Sequence, residues 1–233
     1  MKRGEVYRRR RIMAVSLLVL GAVAMVFAVF VQARASNTAQ RAVPIDPNNA
    51  GPATVLAEAS GISISTPIRP ASLTGIGYHP EGESLAEMEP RGKNLSANVV
   101  LGLIFRGETP EGIHYYVMEA AGRGGPQTGA VDVGATTGTT VYTPVTGTVT
   151  AIRPDPMVQN ANVIEIKPDD NPDVRVSVAL VHSDGEAGVN DNVTAGKTEL
   201  GTVADSAEVL DPQLSSYTTD AGNHVTVTVS ESG

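Results

Sequence analysis

Short runs rich in valine and threonine, nearly all closed by glycine or proline, set the first limit on what this chain can fold into. β-Branched side chains crowd the backbone of a helix and fit a pleated strand, while Gly and Pro break both and make turns. On this pattern strands are expected at Asn98–Arg106, Ile113–Ala120, Thr139–Tyr142, Gly147–Ile152, Asn162–Lys167, Val174–Val181, Glu199–Ala204 and Val225–Val229. The first two are separated by the turn-forming Gly107–Gly112 and read as a hairpin. No helix longer than a turn or two is required after residue 36, and no fixed-period repeat is present. The expected fold class is mostly β.

One segment breaks the pattern. Ile12 to Val31 is a run of twenty residues without charge or proline, long enough to cross a hydrocarbon layer as a helix. Lys2, Arg3 and Arg8 to Arg11 precede it, whereas only Arg34 and Arg41 follow closely, so the positive-inside rule places the N-terminus in the cytoplasm. A cleaved leader is the competing reading, because Ala33-Arg34-Ala35 has the small-x-small form of a cleavage site. The length of the run favours an uncleaved anchor. The expected organisation is a basic cytoplasmic tail at 1–11, a single transmembrane helix at 12–31, an extracytoplasmic linker and wrapping segment at 32–93, and a β domain at 94–233.

The charge divides along the same line. Seven of the seventeen basic residues and one of the twenty-five acidic residues precede Ser36, which leaves ten against twenty-four beyond it. A strongly acidic exterior repels nucleic acid and anionic wall polymers, and favours a protein partner. The chain has no cysteine, which excludes disulfides, thiolate metal sites and thiol catalysis. Serine-hydrolase, HExxH and P-loop motifs are also absent.

Five sequence pieces occur in the order found in one family of wall peptidases. Thr128-Gly-Ala130-Val-Asp132 stands where that family has H-x-G-x-D, followed by Gly138-Thr-Thr-Val-Tyr-Thr-Pro-Val-Thr-Gly147-Thr-Val. Ala179-Leu-Val-His182 resembles its Y-x-H-L segment with the tyrosine replaced. The run from Val189 through Gly196 to Gly201-Thr-Val resembles its paired-glycine element, with Asp191 or Asn192 in place of the usual glycine, and Gly222-Asn-His224-Val-Thr226 lies where the family has G-x-H-L-H. Across Gly125 to Val229 the chain therefore resembles the M23 (lysostaphin/LytM-type) zinc peptidases. The resemblance implies a lysostaphin/LytM-like antiparallel β domain.

In the family, zinc is held at the positions of Thr128, Asp132 and Thr226, and the metal-bound water is assisted at those of His182 and His224. The resemblance thus implies that one ligand of three is kept while both assisting histidines remain. A complete structural zinc site is worth about 10–16 kcal/mol, so loss of two ligands costs ~6–8 kcal/mol, or about four to six decades of affinity. Without the metal there is no low-barrier source of hydroxide at neutral pH. A rearranged set of Asp132, His182 and His224 has the residue types of a two-His-one-carboxylate site and is the route by which an enzyme would survive. Read without the family, Asp132 bonds a turn, His182 ends a valine-rich strand partly buried, and His224 lies at the surface or in a cleft. His79 and His114 match no motif and are assigned no role.

The resemblance implies a membrane-anchored, catalytically inactive M23-like domain that binds or regulates a protein, such as a wall hydrolase, in the bacterial envelope. Peptidoglycan peptide is a further possible ligand. No cofactor is expected, and zinc only if the enzyme reading holds. The Val141-Tyr-Thr-Pro-Val145-x-Gly147-x-Val149 run also resembles biotinyl/lipoyl-like hammerhead domains of membrane-fusion proteins, but the carrier lysine at the hairpin tip is missing.

Overall fold

Side chains alternate between the two faces of a strand, so a valine at every second position makes one face apolar and leaves the other for whatever lies between. The computed structural model describes residues 54–96 and 112–231. Fourteen strands occur among them: β1 (Val55–Ala59), β2 (Ile62–Ser65), β3 (Gly75–His79), β4 (Glu89–Pro90), β5 (Lys93–Asn94), β6 (His114–Val117), β7 (Ala130–Gly134), β8 (Thr140–Tyr142), β9 (Gly147–Pro154), β10 (Asn162–Pro168), β11 (Val174–His182), β12 (Asn192–Val193), β13 (Glu199–Val203) and β14 (His224–Glu231). The helical elements assigned among the described residues are short 3-10 turns at Pro70–Ser72 and Gln213–Ser216.

The large sheet runs β12-β9-β10-β11-β14-β7-β3-β6-β5, with β13 joined to the end of β11 and β8 to β13. Its pairs are antiparallel except β3–β6 and β6–β5, which are parallel, so the sheet is mixed. A smaller antiparallel sheet is ordered β2-β1-β4. The strands expected from Ile113 onward are all present with small shifts at their ends. Asn98–Arg106, the partner expected for Ile113–Ala120, lies outside the described residues, as do the basic tail, the Ile12–Val31 run and residues 32–53. Among the described residues no helix is long and apolar enough to cross a membrane.

One ladder crosses six strands of the large sheet: Tyr78 opposite Val131, Val131 opposite Val227, Val227 opposite Val178, Val178 opposite Ile164, and Ile164 opposite Ile152. Tyr78, Val131, Val227, Val178 and Ile164 are fully buried. Each contributes roughly 1.5–3 kcal/mol by leaving water. They pack with Leu56, Ile62, Ile64 and Ile68 of the segment that precedes β3, so this wrapping segment supplies part of the core and one strand of the main sheet. The Tyr78 hydroxyl, buried with its ring, donates to the Leu56 carbonyl at 3.1 Å and ties the two sheets together.

Two backbone features shape the sheet. β11 carries a bulge: Ile164 pairs with Val178 but Asn162 with Val181, and Leu180 adopts φ 62°, a conformation costly for a non-glycine residue. There the strand leaves β14 at Ala179 and takes up β13 at Val181. The second feature is Gly147, which opens β9 against β10, where a Cβ would stand 2.1 Å from the Lys167 carbonyl oxygen. Close approach of two backbones is its reason.

Candidate functional site

Stepping one residue along the apolar ladder reverses the face. Gly77, Asp132 and Thr226 are cross-strand neighbours, and Ala179 follows on β11. Asp132 is 5% exposed. Its Oδ1 accepts a hydrogen bond from the Thr226 hydroxyl at 2.7 Å, and lies 3.1 Å from His79 Nε2 and 3.6 Å from His224 Nε2. Gly77 leaves room on this face because Met118 fills it: a Cβ there would lie 2.6 Å from the Met118 sulfur. Leu214, fully buried in the second 3-10 turn, covers Gly134 in the same way.

The two histidines are fixed from behind. His224 Nδ1 lies 2.6 Å from the Gly222 carbonyl, and His79 Nδ1 lies 3.0 Å from the Pro80 carbonyl and 3.3 Å from Glu81 Oε2. Carbonyls and carboxylates only accept, so each Nδ1 carries a proton and each Nε2 faces Asp132. His79 is 2% exposed, and Asp132 Oδ1 lies off the axis of an Nε2–H bond, leaving that nitrogen an ion-pair contact and no aligned hydrogen bond.

Charge follows from this geometry. Burial lowers the His79 imidazole, but Asp132 and Glu81 on its two sides outweigh it and raise the group from 6.5 to about 9. Burial likewise pushes the Asp132 carboxyl up, and His224, His79 and the Thr226 hydroxyl together bring it below its ordinary value. Glu81 is lowered by His79 first and by Arg123 second. Arg123 extends the chain of contacts: its guanidinium reaches Glu81 Oε2 at 3.0 Å and Gln213 Oε1 at 2.8 Å, and Gln213 donates to the Glu119 carbonyl.

The residues expected from the sequence are thus divided. Asp132, Thr226 and His224 come together. Thr128 turns away and donates its hydroxyl to the Met88 carbonyl at 2.6 Å. His182, beyond the Leu180 bulge, is exposed and makes its Nδ1 contact with the Asn160 carbonyl at 2.9 Å. This corrects the set Asp132, His182 and His224, because His182 sits past the point where β11 leaves β14 and turns to the Asn160 carbonyl. It also corrects two burials: His182 is not partly buried, and His224, at 5% exposed, is neither a surface nor an open-cleft residue. Asp132 bonds across strands and not within a turn. His79, assigned no role, is central. The alternation in Gly75-Ile-Gly-Tyr-His79 puts it on the face opposite Tyr78, but only the pairing of β3 with β7 brings that face to Asp132. His114 lies in β6 beside an apolar hollow of about 430 Å³ lined by Leu73, Ile76, Leu95, Ile113 and Tyr116. That hollow includes none of Asp132, His79 and His224.

The zinc implied by the resemblance does not fit these residues. Zinc bonds of about 2.0–2.2 Å require three donors grouped around one point. His79 stands opposite Ala130 on one side of β7 and His224 opposite Gly134 on the other. Their backbones are separated by roughly 13 Å along the strands and roughly 9.5 Å across them, so the rings reach Asp132 from opposite ends. Among the described residues no group of three or more His, Asp or Glu side chains is arranged to hold a metal ion. What the arrangement does is neutralise a buried carboxylate and hold protons at fixed nitrogens, with Met118 and Leu214 packed on the neighbouring glycines. The chain matches no protein-family model and no curated protein sequence.

Proposed function

We propose that this chain is a membrane-anchored, catalytically inactive M23-like domain of lysostaphin/LytM type, held outside the membrane by the Ile12–Val31 span and acting as a binding or regulatory module for a protein partner of the bacterial envelope. The observation that carries the reading is the state of Asp132. The one ligand-type residue kept at the family's metal positions is buried, with its Oδ1 bonded by the Thr226 hydroxyl and flanked by His79 and His224, while His182, at the family's other water-assisting position, lies exposed beyond the Leu180 bulge. A hydrolase needs an open coordination place and a path for its substrate. The order of the five sequence pieces supports the family assignment. The excess of acidic residues beyond Ser36 supports a partner with a basic face.

The test has two parts. Full-length protein in detergent, given zinc and purified peptidoglycan, is expected to release no muropeptides. Zinc-dependent release that disappears in Asp132→Ala would refute the non-catalytic reading. Because the chain lacks cysteine, a single Val209→Cys substitution at a 61% exposed position reports topology. It should react with a membrane-impermeant maleimide on intact bacteria, and labelling only after lysis would refute the placement outside the membrane.

A further inference from the structure

We propose that the loop 155–160, between β9 and β10, and the segment 204–211, after β13, together form a docking surface for a protein partner that presents an aliphatic side chain flanked by lysine or arginine. The inference deepens the reading of the chain as a binding module and rests on it.

Four features of the structure support this. Met157 at 66% and Val209 at 61% are the two most exposed large apolar side chains among the described residues. Their chain neighbours Val158 and Leu210 belong to one small apolar cluster with Ala161, Leu180 and Ala204, separate from the main core. Single exposed apolar residues are ordinary on a protein surface, but two beside one cluster form a patch. The bulge builds that cluster: Val178 and Val181 face the main core, while Leu180, held at φ 62°, joins Ala179 on the second. Backbone strain of this kind gathers at sites of function. Both segments are ordered before any partner arrives. Asp155 Oδ1 accepts from the Met157 and Val158 amides at 2.9 and 3.0 Å, and the Ser206 hydroxyl and Ala207 amide both donate to Asn223 Oδ1, at 3.2 and 2.8 Å. A surface already in shape loses less entropy on binding. Charge selects the partner. The two segments carry Asp155, Asp205, Glu208 and Asp211 and no lysine or arginine. An acidic protein or anionic lipid would be repelled, whereas a basic rim around an aliphatic side chain answers both the carboxylates and the patch. So small a patch makes transient complexes, which leaves Val209→Cys open to the maleimide label.

The test uses full-length protein in non-ionic detergent and a fluorescein-labelled peptide, Lys-Lys-Leu-Leu-Lys-Lys, read by fluorescence anisotropy beside a peptide with glutamate in place of each lysine. The expected result is binding of the lysine peptide alone, weakened by added salt. Met157→Ser combined with Val209→Ser, and separately Glu208→Gln combined with Asp211→Asn, should each weaken binding about fivefold or more. Val189→Ser, at a 48% exposed position outside both segments, should leave it unchanged. Circular dichroism verifies that the variants fold, and the two double variants test the patch independently. Equal affinity for the two peptides, no affinity for either, or unchanged affinity in either folded double variant would overturn the surface. Concentration-dependent dimers that disappear in Met157→Ser combined with Val209→Ser would overturn it in favour of a second copy of this chain. Failure of the peptide arm overturns this surface alone, whereas zinc-dependent release of muropeptides by the same preparation overturns the non-catalytic reading on which it rests.

Discussion

Alkaline pH should unlock the polar face through one imidazole. His79 has an ordinary value of 6.5 and a folded value of about 9. A value raised on folding means that the folded state binds the extra proton, so stability falls as pH rises through this range. The contribution is complete below about 6.5, declines between 6.5 and 9, and is absent above about 9. At about 1.4 kcal/mol per decade of proton affinity the gap corresponds to about 3 kcal/mol. The Asp132 part, between groups 2% and 7% exposed, is retained nearly in full, while the Glu81 part, with that carboxylate 44% exposed, is trimmed by solvent. Asp132 acts at the other end: its value is lowered, so its contribution is present above 3.8 and is lost as pH falls through that range. Urea unfolding of residues 50–233, which form one compact unit, can be followed at pH 6, 7.5, 9 and 10 for wild type and His79→Gln. Glutamine keeps a donor and cannot titrate. The stability difference should be about 3 kcal/mol at pH 6 and fall below about 1 kcal/mol at pH 10. A difference that does not change with pH, or that grows, would refute the ion-pair reading of His79.

Four further outcomes follow from the same geometry. Val227→Ala, at the middle of the fully buried ladder, should cost about 2–3 kcal/mol in urea unfolding, from lost transfer energy plus a cavity. Thr226→Val removes the hydroxyl that donates to Asp132 and should cost about 1–3 kcal/mol, with the loss visible at pH 7 and reduced once the carboxyl is protonated. Gly147→Ala places a Cβ 2.1 Å from the Lys167 carbonyl oxygen, a backbone atom that cannot swing aside, and should reduce the yield of folded protein far more than Gly188→Ala, whose Cβ meets only the end of the Asp191 side chain at 3.3 Å. Chelation by EDTA should leave the thermal midpoint unchanged, measured by circular dichroism with and without added zinc.

The sequence carried the strands well where the code is local. Val174–Val181 and Val225–Val229 alternate so strictly that both existence and buried face could be read, and their glycine and proline boundaries marked the ends. It carried much less of β1 to β3, because Pro67, Pro70 and Pro80 broke the pattern into pieces shorter than a convincing strand. Long-range pairing was the deeper limit. Asp132 and Thr226 were singled out through motif order, and register makes them neighbours. His79 belongs to the cluster only because β3 inserts beside β7, a fact stored in 50 residues of separation and not in any window around His79. His182 failed for the opposite reason: its motif was in order, but the bulge at Leu180 redirected the strand, and no residue type announces a left-handed leucine.

The two-faced ladder also bears on how the chain finds its register while folding. Sliding β14 by one residue against β7 would reverse the faces of β14, setting a valine beside the Asp132 carboxylate in place of Thr226 and turning Thr226 and His224 toward the apolar core. A buried carboxylate stripped of those partners costs several kcal/mol, whereas a slip in an all-valine ladder would cost far less. A buried carboxylate can therefore serve as an alignment mark, making the one correct pairing of the central strands far more stable than its nearest misfolded neighbours.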